Sequence, residues 1–155
     1  MIANTKLRLL SIIPATALLA ACSGAGADAP PVIKERHDNF EAIGDSFKAI
    51  RAQFEGTPDL AVVEAEATNI NERAQLISGH FPEGTGMDAG YDTEALPTIW
   101  EKPDEFEAAQ QRLIDQSAAM ASAAATGDAA ATGELVKELG GACKNCHDTF
   151  RKDDD

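Results

Sequence analysis

The sequence predicts an all-α protein, an antiparallel four-helix bundle, and three observations predict it. Four stretches space their apolar residues by three and four, the period of a helix that buries one face. No stretch alternates apolar and polar residues as a half-buried strand does. Two of the three links are short and one is long, which makes the sequential pairs antiparallel and leaves a single crossover. With 155 residues the chain has room for one core and not for two.

Residues 1–21 read as an export signal that precedes the fold. Lys6 and Arg8 form a positive start, and Leu9 to Ala21 form an apolar run interrupted only by Ser11, Pro14 and Thr16. The run is too short to span a bilayer, and Pro14 argues against a buried core helix. Leu19-Ala20-Ala21-Cys22 has the form of a bacterial lipobox, with Cys22 lipidated at the mature N-terminus. Cleavage after Ala27, at Ala25-Gly26-Ala27, would instead discard Cys22. The lipoprotein form is preferred because the third cysteine has no other evident use. Residues 22–31 form a tether ending in two prolines, and residues 32–155 the bundle.

The first helix carries Ile33, Phe40, Ile43, Phe47, Ile50 and Phe54. The second follows Thr57-Pro58, a cap and a first-turn proline, with Leu60, Val63, Ala67, Ile70, Ala74, Ile77 and Phe81 as its seam. A Gly/Pro-rich crossover runs from about Pro82 to Lys102 and holds the single tryptophan, Trp100, read as packing. The third helix starts near Pro103-Asp104 and aligns Phe106, Ala109, Leu113, Gln116, Met120 and Ala123. Gly127-Asp128 ends it and caps the fourth, whose stripe is Leu135, Leu139, Ala142, Cys146 and Phe150. Aromatics are few, and the last two helices are rich in Ala and Gly. Such a core is underfilled unless helices approach closely or a large flat group enters.

Near the end stands Cys143-Lys144-Asn145-Cys146-His147, the C-x-x-C-H pattern of covalent haem c attachment. Two thiols one helical turn apart can each add to one vinyl group of a porphyrin, and the next residue offers an imidazole to the iron. The export signal agrees, because this haem is attached outside the bacterial inner membrane. A disulfide between Cys143 and Cys146 on a helix has poor geometry. A zinc site needs further ligands, and His37 and His80 are the remaining histidines. A thioredoxin-like pair needs a βαβ setting.

Gly140-Gly141-Ala142-Cys143-Lys144-Asn145-Cys146-His147-Asp148-Thr149-Phe150-Arg151, placed at the end of an all-helical chain, resembles the cytochromes c′, class II c-type cytochromes. Leu96-Pro97-Thr98-Ile99-Trp100, Gly127-Asp128, and Arg36 with Phe40 extend the likeness from about Val32 to the end. The resemblance implies that His147 is the iron's protein ligand and that Phe40 stands where an apolar residue blocks the opposite position. That leaves a five-coordinate, high-spin iron open to small gases such as nitric oxide and carbon monoxide. Relatives with methionine at that position are six-coordinate electron carriers, but the first helix has none; Met87 lies in the crossover and Met120 in the third helix. His37, three residues before Phe40, stays open as a sixth ligand, although a solvated role beside Glu35 and Asp38 is the plainer reading. His80 reads as a surface or capping group. By resemblance Arg151, one turn after His147, tunes that histidine, and Arg36 lies at the pocket edge or pairs with a haem propionate.

The expected function is therefore that of a periplasmic haem c cytochrome that binds small gases and can transfer electrons, with the low-spin electron carrier as the alternative. No distal acid–base pair of the kind peroxide cleavage needs is evident, so the chain is read as no enzyme. The formal charge is −13, and loss of Lys6 and Arg8 with the signal makes it −15. That charge excludes nucleic acid and binding to anionic lipid, restricting membrane contact to an N-terminal lipid. It suits a basic redox partner protein, and the family resemblance adds a homodimer through the first two helices.

Overall fold

The computed structural model describes residues 29–153. The expected signal, the lipidation site Cys22 and most of the tether lie outside them. Helix α1 spans Pro31–Gln53, α2 Leu60–Ala74, the one-turn α3 Thr98–Glu101, α4 Pro103–Ala125 and α5 Ala129–Phe150. The four long helices make the expected bundle. Short 3-10 turns at Ile77–His80 and Met87–Ala89, and α3 itself, break up the crossover.

Local signals set most helix ends. Pro31 opens α1, where a missing N–H costs nothing. The expected Thr57 cap is corrected to Asp59, whose Oδ1 accepts from the Ala61 N–H at 3.0 Å. A nearby carboxylate outcompetes the hydroxyl two residues earlier, and Pro58 stays outside the helix. Gly127, at φ +80°, turns the chain after α4, and Asp128 caps α5 through Ala131 N–H at 2.9 Å, as read from the sequence.

Hydrogen bonds show the direction of packing. Asn69 Nδ2 donates to Ser46 Oγ at 2.8 Å, and Asn39 Nδ2 to the Arg73 carbonyl at 3.2 Å, so α1 and α2 run antiparallel. Asn71 Nδ2 donates to the Ile114 carbonyl at 2.8 Å and Gln110 Nε2 to the Ala74 carbonyl at 2.9 Å, which sets α2 against α4 in the same sense. Ile50, Val63, Ala67, Ile70, Ala74, Met120 and Leu139 are fully buried. Each large apolar side chain so buried contributes about 1.5–3 kcal/mol.

Two expected faces change. On α4 the buried row is Phe106, Ala109, Leu113, Ser117, Met120 and Ala124, so Ser117 replaces Gln116 and Ala124 replaces Ala123. The Ser117 hydroxyl is buried at no cost because it donates within the helix, to Leu113 O at 2.8 Å, and receives Asn71. On α1 the deep row is Ile33, Arg36, Asn39, Ile43, Ser46 and Ile50, while Phe40, Phe47 and Phe54 are half-buried on the flank.

That flank faces α5, and its glycines are part of the packing. A Cβ on Gly133 would lie 3.4 Å from Phe54 Cε1, and one on Gly140 would lie 3.1 Å from Phe47 Cζ. These two glycines are therefore filled by rings from α1, and Ala118, Ala119 and Ala125 simply face solvent. The reading of small residues as empty space holds for neither group. Even so, α1 and α5 meet sparsely, while α2–α4, α4–α5 and α1–α2 are extensively packed.

Candidate functional site

The two ring–glycine contacts fix the register of α1 against α5. Phe54 meets Gly133 and Phe47 meets Gly140, seven residues down one helix for seven up the other. One more step of seven brings Phe40 level with His147. Seven residues return nearly to the same helix face, so both positions border the α1–α5 seam. Cys143 and Cys146 sit beside that seam, half-buried and free, packed against the common hydrophobic core. His147 is exposed.

Burial pushes the Cys143 thiol above its ordinary range, and pushes Cys146 up to about 11, with the neighbouring Cys143 adding to the effect. Both are therefore protonated thiols at neutral pH. Among the described residues no group of three or more His, Cys, Asp or Glu is placed to hold a bare metal ion. The donor set instead suits a flat group held by two thioethers and one imidazole. The sparse α1–α5 seam, with thiols on one wall and Phe40 on the other, fits such a group.

An aromatic chain closes the inner side of this region. Phe40 meets Phe81 edge-on at 6.2 Å, Phe81 meets Phe106 at 5.0 Å, and Phe106 meets Phe150 at 5.2 Å. Trp100 joins it at 6.5 Å from Phe81 and donates its indole N–H to the Phe81 carbonyl at 3.0 Å, a packing role as expected. Gly86 makes room: a Cβ there would fall 2.6 Å from Trp100 Cζ3.

Arg36 is not at an edge. Only 4% exposed, it stacks its guanidinium 4.6 Å from the Phe81 centroid and donates to the Thr85 carbonyl at 2.9 Å and Thr93 Oγ1 at 2.8 Å. It thus clamps the crossover onto α1, and burial lowers its pKa. None of its described partners is a carboxylate, so the charge is buried without a counter-ion. The sequence signalled the residue but not its role as a clamp, because Thr85 and Thr93 lie about fifty residues away in the chain.

The other candidates are placed as follows. His37 is exposed on α1, away from the buried row. His80 is half-buried with its Nδ1 enclosed and lacking a hydrogen-bond partner, so it is neither a surface residue nor a cap. Met120 is fully buried, but Phe106 pairs with Phe150, which puts Met120 eleven residues from the level of His147, or about 16 Å along the bundle. Arg151 ends α5 and pairs its Nε with Glu94 Oε2 at 3.0 Å, a partner the sequence gave no sign of.

The model of the family described as Cytochrome C′ matches residues 31–151, the whole bundle. The chain belongs to the cytochrome c′ family. A cytochrome c′ of Pararhodospirillum photometricum is 38% identical over 121 residues, which cover 77% of this chain and 95% of that protein. A cytochrome c-554 of Cereibacter sphaeroides is also 38% identical, over 102 residues that cover 64% of this chain and 66% of the relative, just under two thirds of its length. Among solved structures, cytochrome c prime from Shewanella frigidimarina superposes with a TM-score of 0.74 at 28% identity, covering 83% of this chain and all of that one. Like its family, the chain binds one covalent haem c.

Proposed function

We propose that this family member is a periplasmic haem protein that binds small diatomic gases at a five-coordinate, high-spin iron and can pass single electrons. In this reading Cys143 and Cys146 are the attachment residues, His147 is the iron ligand, and Phe40 occupies the opposite side. The observation that carries it is the α1–α5 register, which sets the apolar ring of Phe40 level with His147. When bound, the haem supplies a redox-active iron with one open coordination position.

The chain's own residues supply the rest. Each half-buried thiol adds its sulfur to one vinyl carbon and its proton to the other, which needs no oxidant. Phe40 offers the iron no donor atom and limits the space beside it, so a small ligand enters more readily than a side chain. Arg36, a buried cation without a carboxylate partner, suits a haem propionate, because an unpaired buried charge is costly. The level of His147 carries no acid–base pair on α1, which favours binding and electron transfer over catalysis. A cytochrome c′ from Alcaligenes xylosoxidans has been solved as a nitric oxide complex, and the same ligand class is proposed here on the residues above.

Export with lipidation at Cys22, a homodimer and a basic redox partner complete the proposal. The absorption spectrum of the reduced protein with and without carbon monoxide tests its centre. A high-spin spectrum that shifts with carbon monoxide is expected. A sharp low-spin α band insensitive to the gas would refute it, and would point to His37 or Met87 as sixth ligand.

A further inference from the structure

The crossover is bound to the end of α5 more firmly than a connecting loop requires. Leu96 N–H donates to the Phe150 carbonyl at 3.1 Å, Lys152 N–H to the Glu94 carbonyl at 2.9 Å, and Ala95 and Arg151 form an isolated antiparallel bridge. Thr98 Oγ1 adds a bond to the Thr149 carbonyl at 2.7 Å. These contacts begin two residues after His147, and the last helical bond of α5, Arg151 N–H to the His147 carbonyl at 3.1 Å, joins them to it directly.

Within that ladder Glu94 is paired with Lys152 through its backbone and with Arg151 through its side chain, Oε2 to Nε at 3.0 Å. The preceding residue, Thr93, accepts from Arg36. By the α1–α5 register, Arg36 and Arg151 stand level with each other, one turn beyond Phe40 and His147 respectively. One short stretch of the crossover thus offers an acceptor to each of two arginines that flank the seam. An exposed ion pair between free side chains is weak, but here the backbone ladder has already ordered both partners, so little side-chain freedom is left to lose.

We propose that Glu94 is a positioning residue for the iron's protein-ligand side: it anchors the Arg151 guanidinium away from His147 and so sets the field that the iron feels. This rests on His147 being the iron ligand. With Glu94 in place the cation is held and partly neutralised. Without it, Arg151 is free to turn toward His147, and positive charge near the iron disfavours its ferric form.

Glu94→Gln is the test in the haem-loaded protein, since glutamine keeps the backbone carbonyl that receives Lys152. The midpoint potential, measured by spectroelectrochemical titration, is expected to rise in Glu94→Gln, and to rise less when the same change is made in Arg151→Gln. Equal shifts in the two backgrounds would make Glu94 a plain surface charge and overturn the proposal, as would no shift. Covalent haem content and far-UV helicity serve as controls for folding, and Glu94→Asp, which keeps the charge, should restore most of the native potential. His147→Ala separates the underlying reading: an unchanged iron spectrum there would sink the ligand assignment itself, whereas a null result in Glu94→Gln alone would not.

Discussion

Replacing Phe40 with methionine tests the register and the function together. The swap nearly conserves volume, which costs less than about 1.5 kcal/mol in a core. It removes an edge-on contact with Phe81 at 6.2 Å, worth about 0.5–1.5 kcal/mol, and a thioether against the same ring recovers part of that. Phe40 is only half-buried, so the net loss should be about 1 kcal/mol, or roughly 4 °C in melting temperature. The bundle survives such a change. Its spectroscopic effect should be large, because a thioether would now stand level with His147, whereas the native Met120 lies about 16 Å away along the helix axis. Reduced Phe40→Met is expected to show a low-spin spectrum with a weakened response to carbon monoxide. Phe40→Leu, apolar and without a donor, should stay high-spin. A Phe40→Met protein that is folded, haem-loaded, high-spin and fully responsive to the gas would refute the placement of residue 40 across from the iron.

Three further predictions concern the frame around the site. Gly141→Ala should stabilise by about 0.5–1 kcal/mol in urea unfolding, because a Cβ there meets nothing within 4 Å and helix propensity improves. Gly140→Val should instead cost about 1–3 kcal/mol, since its first added carbon already lies 3.1 Å from Phe47. Arg36→Gln should cost about 2 kcal/mol and raise amide exchange across residues 85–96, because the clamp on Thr85 and Thr93 is lost; unchanged exchange there would refute the clamp. In the haem-free chain, Cys146 should react with iodoacetamide at pH 8 on the order of 100-fold more slowly than a free thiol. Its folded-state pKa of about 11 means that the thiolate appears, and the rate climbs, only as pH rises from 9 toward 11. A rate that levels off near pH 9 would show that burial does not hold the thiol protonated.

Periodicity made the helices legible because a helix needs only one apolar face, and α2 shows this directly: Val63, Ala67, Ile70 and Ala74 are its buried row as read. The same rule mistook Gln116 and Ala123 for core on α4, since neighbouring small and polar residues leave the phase of the stripe uncertain by one position. Buried polar residues were the larger omission. Arg36, Asn39, Ser46 and Ser117 are inside because each finds an acceptor or donor on another element or within its own helix, and hydropathy carries no sign of that.

The attachment motif, the helix caps at Gly127-Asp128 and the four-helix class were settled by local rules: a three-residue spacing of thiols, a left-handed glycine with a capping carboxylate, and apolar periods. Those depend on neighbours within a turn or two, so the sequence alone determines them. Which residue of α1 stands level with His147, where the Arg36 charge is buried, and which carboxylate holds Arg151 depend on helices and a crossover that meet only after folding. Ring–glycine contacts between α1 and α5 decide the first, and hydrogen bonds from the crossover decide the other two. Small residues in α5 looked from the sequence like vacancies; the tertiary structure makes them the measure by which the two helices are aligned.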